Sequence, residues 1–149
     1  RALALARTEA RDLEKRELPA PIRLSDWHRD AVAAATTCIA QAGLADHLVC
    51  ERVDARDAIA RVPPHAVVVG NLPFGERLGG DAHKRLQLEG FYRTLGERLR
   101  GLADARVLLF SAHPSARELL NLDAAARTRR DWALYSGALP ARLFRWDLP

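Results

Sequence analysis

The stretch Ala66-Val67-Val68-Val69-Gly70-Asn71-Leu72-Pro73-Phe74-Gly75-Glu76-Arg77-Leu78-Gly79 decides how the rest of the chain is read. Its first four residues form a largely β-branched run, the kind that is buried on both faces of a parallel sheet. Pro63-Pro64 break the chain before it, and Asn71 to about Asp81 reads as a loop. Ala82 to Arg100 follows as a long amphipathic helix, with Leu88, Phe91, Tyr92, Leu95 and Leu99 on one side. Arg106 to Ser111 then reads as a second buried strand. Strand, loop, helix and strand in that order predict a parallel βαβ unit. In open sheets of this kind ligands bind at the carboxyl ends of the strands, and Asn71 stands at such an end.

The same alternation extends upstream. Arg1 to roughly Arg16 is rich in Ala, Leu, Arg and Glu and predicts a helix, ended by Pro19 and Pro21. Ile22 to Asp26 reads as a strand. Asp30 to Ala42 reads as a helix, with Val32, Ala35, Ile39 and Ala42 near helical spacing and Gly43 where a C-terminal cap is expected. Leu48 to Val53 is the next strand, ending at Asp54. Towards the other end, Ser115 with Glu118 is a capping-box signature for a short helix. Trp132 to Tyr135 and Ala141 to Trp146 flank Ser136-Gly137 as an antiparallel pair. The expected fold is therefore α/β, mostly parallel, with a C-terminal antiparallel β pair.

Composition narrows the class. The 149 residues suffice for one compact domain with a single core. No apolar run approaches the ~20 residues of a membrane span, and no signal peptide is visible, so no membrane partner is expected and a cytoplasmic location is. Cys38 and Cys50 fit no zinc spacing and read as ordinary buried thiols of a reducing compartment. His28, His47, His65, His83 and His113 have no metal-ligand spacing either, so no metal is expected; His113-Pro114 follows a strand end and is weighed as a site-lining or a turn residue. A net charge of +4 is compatible with a polyanionic partner. Arg77, Lys84, Arg85, Arg127, Arg129 and Arg130 are candidate phosphate contacts, each weighed against a purely structural or solvated role.

The loop after the Val-rich strand carries the chemistry. The Asn71 side-chain oxygen can accept a hydrogen bond from the amino group of a nucleic-acid base. Pro73 fixes its own φ and biases Leu72 towards extended geometry, which can aim the Leu72 carbonyl at the same amine. Phe74 offers a ring for base stacking, worth about 1–3 kcal/mol. Asn71-Leu72-Pro73-Phe74 resembles the Asn-Pro-Pro-Tyr-type motif of amino-methyltransferases. With Gly75-Glu76-Arg77-Leu78-Gly79 attached, it resembles the RNA guanine-N2 methyltransferases that often carry a THUMP domain. Leu72 and Phe74 depart from the commonest form: Leu72 stands for the first Pro and contributes its backbone carbonyl, and Phe74 stands for Tyr and keeps the stacking face.

That resemblance implies a Rossmann-like class I methyltransferase sheet and S-adenosylmethionine as cofactor. It implies methylation of the exocyclic amine of guanine in tRNA or rRNA, with Asn71, Leu72, Pro73 and Phe74 at the reacting amine. Asp26 matches the acid that holds the ribose hydroxyls, and Trp27 the apolar packing on adenine. Asp54 matches the acid that accepts the adenine amine, with the Ala55 N–H for a ring nitrogen. Phe91 to Gly96 and the tail from Leu134 resemble the family's later helix and closing β pair. No Gly-x-Gly loop precedes Asp26, the chain has no methionine, and it opens inside a helix. Residues 1–149 are therefore expected to be a partial catalytic domain. Its first strand, the cofactor loop and any RNA-binding module are expected upstream. Two alternatives stay open: an adenine-N6 DNA or RNA methyltransferase, and a non-catalytic nucleic-acid-binding domain that kept the fold.

Overall fold

The computed structural model describes residues 2–13, 18, 22–74 and 81–149. Gly75 to Gly80, and with them the Arg77 expectation, lie outside the described residues. The chain divides into two compact units, Arg1–Asp54 and Ala55–Pro149.

The first unit holds α1 (Ala2–Asp12), β1 (Ile22–Asp26), α2 (Arg29–Gln41) and β2 (Leu48–Arg52). β1 and β2 pair in parallel, with Ile22 opposite Leu48 and Asp26 opposite Arg52. α2 ends as its sequence predicts. Gly43 has φ +69°, its N–H donates to the Ala40 carbonyl at 3.1 Å, and the Leu44 N–H donates to the Ile39 carbonyl at 3.0 Å. This is a Schellman cap, and the missing Cβ makes its left-handed residue cheap. Cys38 is exposed on α2 and Cys50 half-buried on β2, so the expectation of two buried thiols does not hold.

The second unit contains α3 (Ala55–Ile59), β3 (Val67–Asn71), α4 (Ala82–Arg100), β4 (Arg106–Ser111), α5 (Ala116–Leu120), β5 (Thr128–Ser136) and β6 (Leu139–Asp147). Its sheet has the order β3-β4-β6-β5. β3 runs parallel to β4, and β4–β6 and β5–β6 are antiparallel. One face carries Val107, Leu109, Phe144 and Trp146, which pack with Tyr92, Leu95 and Leu99 of α4 and Leu119 and Leu120 of α5. The helix stripe read from sequence is thus the stripe that is buried. α4 starts at Asp81, whose carboxylate accepts from the backbone N–H groups of His83 and Lys84. Arg98 and Arg100 sit in its last turn, where cations favour the helix dipole.

Several details differ from expectation. Val67 and Val69 are 60% and 76% exposed, not buried on both sides. β3 is an edge strand of this sheet, and its residues alternate between the core face and an open one. Ser115 does precede α5, but its side chain makes no capping hydrogen bond. Its backbone N–H instead donates to His113 Nδ1 at 3.2 Å. The β pair is longer than the apolar runs, because polar Thr128 to Asp131 continue β5 beside β6. Gly137 turns the hairpin at φ +61°. Pro140 is tolerated in β6 because pairing with β4 begins only at Arg142. α3, a short helix, is not signalled by periodicity. No helix among the described residues is long and apolar enough to cross a membrane.

Candidate active site

The Asn71 loop is built by two rules in succession. β3 pairs with β4 up to Asn71 opposite Phe110. The Leu72 N–H donates to the Phe110 carbonyl at 2.9 Å and extends the ladder by one bond. Pro73 has no N–H to continue it. Leu72 is 5% exposed, its side chain anchored in the core, whereas Asn71 and Pro73 are exposed and Phe74 is half-buried. A large apolar residue at position 72 therefore anchors the loop in the core, while Asn71 and Pro73 on either side of it stay exposed.

A buried hydrogen-bond chain holds the loop from the side. Tyr92, fully buried on α4, donates its hydroxyl proton to the Pro73 carbonyl at 2.8 Å and lies 2.6 Å from Ser111 Oγ. The carbonyl can only accept, so the Ser111 hydroxyl must donate to Tyr92. Ser111 in turn accepts from the His113 N–H at 2.9 Å. Burial pushes the Tyr92 phenol up to about 12, against a smaller opposing effect from Ser111, so it keeps its proton at neutral pH. The Tyr92 and His113 rings lie 5.2 Å apart, and His113 Nδ1 accepts from Ser115, which leaves a neutral ring's proton on Nε2. Phe91 packs edge-on against Tyr92 at 6.0 Å, with the Arg56 guanidinium 5.6 Å over the Phe91 ring.

In the first unit, Asp26 and Trp27 occupy the carboxyl end of β1. Asp26 Oδ1 accepts from the His28 N–H at 2.7 Å, which orients the carboxylate as α2 begins. Trp27 is 61% exposed, with the Arg52 guanidinium 5.4 Å over its ring. Arg52 Nε also donates to the Trp27 carbonyl at 3.1 Å, and the Val53 N–H to the Asp26 carbonyl at 3.2 Å. These bonds tie the Asp26–Trp27 turn to the end of β2, just before Asp54. The structure thus brings Asp26, Trp27 and Asp54 to the carboxyl ends of one parallel pair. Ala55 opens α3 in the second unit.

The basic residues sort by their partners. Arg127 pairs with Asp104 at 2.8 Å and Arg129 with Asp123 at 3.6 Å, which favours the structural role for both. Lys84 Nζ is 3.7 Å from Asp81 Oδ2 and more than half exposed, and Arg85 is exposed beside it in the first turn of α4. Two acids beside the β hairpin, Asp147 and Asp123, are held in ionised form. Hydrogen bonds from Arg145 and Thr128, then Arg106, keep the Asp147 carboxyl well below the usual carboxylate range. Burial alone would raise Asp123, but hydrogen bonds from Trp146 and Arg117 outweigh it and lower it.

Sequence reasoning missed Tyr92, Ser111 and Asp81 as shaping the site. A tyrosine on the buried stripe was a usable signal, since a buried phenol needs a partner. An Asp just before a helical run was the other.

An α/β chain with an Asn-x-Pro-aromatic loop at one strand end and acids at two others has the fold of a class I methyltransferase. Residues 2–140 match the family described as the RMKL-like methyltransferase domain, and the chain belongs to that family. It is 32% identical over 145 residues to the ribosomal RNA large subunit methyltransferase K/L of Syntrophotalea carbinolica, covering 94% of this chain and 19% of that protein. It is 35% identical over 144 residues to the enzyme of the same name from Methylococcus capsulatus, covering 95% and 18%. The chain therefore spans about a fifth of the length of these curated relatives. Among solved structures, SMU.472, a putative methyltransferase complexed with S-adenosylhomocysteine, superposes with a TM-score of 0.77 at 20% identity, covering 98% of this chain and 36% of that one.

Proposed function

We propose that this chain is part of the catalytic domain of a cytoplasmic S-adenosylmethionine-dependent RNA methyltransferase that methylates the N2 amine of guanine, with ribosomal RNA favoured over tRNA. The observation that carries the reading is the Asn71-Leu72-Pro73-Phe74 loop standing at the carboxyl end of β3, its backbone pinned on both sides. Family membership and the names of the two rRNA-methylating relatives support it.

The first unit fits the adenosine end of the cofactor. The Asp26 carboxylate, oriented by His28, has acceptor capacity for two ribose hydroxyl protons. The exposed Trp27 ring offers an apolar face, and Asp54 offers an acceptor for the adenine amine. No Gly-x-Gly occurs in residues 1–149, so the loop for the methionine end, like any RNA-binding module, is assigned to other segments of the protein. When bound, the cofactor supplies an electrophilic methyl group on sulfur.

The remaining work falls to the loop. An exocyclic amine is a poor nucleophile because its lone pair is delocalised into the ring. Asn71 Oδ1 and the Leu72 carbonyl accept its two protons, which favours a pyramidal nitrogen with the lone pair aimed at the methyl group. Phe74 stacks on the base, which reaches the loop by flipping out of a helix or from a single-stranded segment. The catalytic gain is alignment, and the amine proton leaves after transfer, so no dedicated base is needed. Lys84, Arg85 and Arg77 are assigned to phosphate contacts.

The test is methylation of unmodified ribosomal RNA and tRNA by the full-length protein, followed by nucleoside mass analysis. N2-methylguanosine in rRNA is the expected product. N6-methyladenosine would transfer the reading to adenine. No methylation together with no cofactor binding would leave the non-catalytic alternative.

A further inference from the structure

We infer that Tyr92 is a positioning residue for methyl transfer: its hydroxyl clasps the Pro73 carbonyl and thereby aims the Leu72 carbonyl at the target amine. This rests on the function proposed above and extends it to a residue outside the loop.

The geometry is restrictive. The Leu72 N–H is fixed to Phe110 of β4 at 2.9 Å, and the Pro73 carbonyl is fixed to Tyr92 of α4 at 2.8 Å. The Leu72 carbonyl lies between these two anchors. Of the torsions connecting them, Pro73 φ is locked by its ring and the peptide bond is planar. The Leu72 side chain is also buried, so the segment cannot swing as a unit. Releasing the Pro73 carbonyl frees the peptide that carries the proposed acceptor.

The direction of the hydrogen bonds strengthens the clasp. Each hydroxyl has one proton, so the order His113 N–H to Ser111, Ser111 to Tyr92, Tyr92 to Pro73 is fixed throughout. Three segments that are remote in sequence meet at Tyr92: the turn after β3, the turn after β4, and the middle of α4. Tyr92 and Ser111 are both essentially inaccessible, so water does not compete for the bond between them, which holds the Tyr92 hydroxyl turned towards Pro73. Neither residue is at the surface to touch RNA, so an effect of either on transfer must act through the loop.

The experiment is Tyr92→Phe in the full-length enzyme, read by single-turnover methylation, cofactor titration, KM for RNA and the melting temperature. The ring and its packing remain, and only the clasp is lost. The expected result is a fall of about 10- to 100-fold in the transfer rate, the scale of a small misalignment. Cofactor affinity and KM are expected within about two-fold of wild type by the same reasoning, since neither binding step uses the clasp. Ser111→Ala is scored by the same criteria and decides the matter should Tyr92→Phe not fold. A folded Tyr92→Phe, or in its absence a folded Ser111→Ala, with wild-type transfer rate overturns the inference. A uniform loss of cofactor affinity and melting temperature in proportion to rate does so too, by showing a general structural role. An inactive wild-type enzyme would instead refute the proposed function itself.

Discussion

Gly96 of α4 lies hard against the Leu120 backbone at the end of α5, and replacing it with alanine is expected to force the two helices apart. A Cβ there would lie 2.0 Å from the Leu120 carbonyl oxygen, 2.7 Å from its carbon and 2.8 Å from the Leu120 Cα. All three are backbone atoms, so no side chain can rotate away. Ordinary contact needs roughly 3.4 Å or more between such atoms, so the helices must separate by over ~1 Å in a core that is close-packed. Overpacking costs about 1–3 kcal/mol, and a backbone clash belongs at the upper end. Alanine's better helix propensity returns about 1 kcal/mol, so the expected net loss is about 2 kcal/mol. Gly90, in the same helix with nothing within 4 Å of its would-be Cβ, is the internal control. Gly90→Ala is expected to gain up to about 1 kcal/mol from propensity alone. Urea denaturation of the two variants beside wild type measures both signs. Equal shifts for Gly90→Ala and Gly96→Ala would refute the reasoning. Gly96 also follows Tyr92 by one helical turn, so its replacement is expected to slow transfer by displacing the clasp.

The remaining expectations concern charge and the cofactor. Asp147 is ionised at neutral pH and its folded value is depressed, so its contribution is present above the usual carboxylate value of 3.8 and is lost as pH falls towards the folded value. Asp147→Asn is expected to lower stability by about 1 kcal/mol at pH 7, discounted for partial exposure, with the gap to wild type closing below pH 3.8 in an acid titration followed by circular dichroism. Lys84→Gln and Arg85→Gln are each expected to weaken RNA binding and to reduce its salt slope by about 1; an unchanged slope removes that residue from the phosphate contacts. Asp26→Ala is expected to weaken cofactor binding at least ~10-fold, the scale of a lost charge-assisted hydrogen bond of about 1.5–3 kcal/mol; calorimetry with unchanged affinity would remove it from the cofactor site.

Much of this was legible in the sequence because the signals are local. The α4 stripe from Leu88 to Leu99, the Gly43 cap and the β pair around Gly137 each follow from spacing within one segment. The acids at Asp26 and Asp54 and the loop at Asn71 were placed by strand ends, which local pattern also gives. What escaped depends on segments far apart in the chain. The Val67–Val69 run has the composition of a doubly buried strand, but only sheet order reveals that β3 is an edge. Ser115 has a cap signature, but His113 Nδ1 takes its N–H and the side-chain bond does not form. Tyr92 was visible as a core residue. Its chemistry was not, because its partners Pro73 and Ser111 are each 19 residues away. Polar Thr128 to Asp131 join β5 through cross-strand and ion-pair partners on β6, which no alternation of apolar residues announces.

The most direct test of the central claim is single-turnover methyl transfer by the full-length enzyme carrying Asn71→Ala, measured with cofactor affinity on the same preparation. The loop mechanism requires transfer to fall below detection while cofactor affinity stays close to wild type. Near-normal turnover by Asn71→Ala would contradict it.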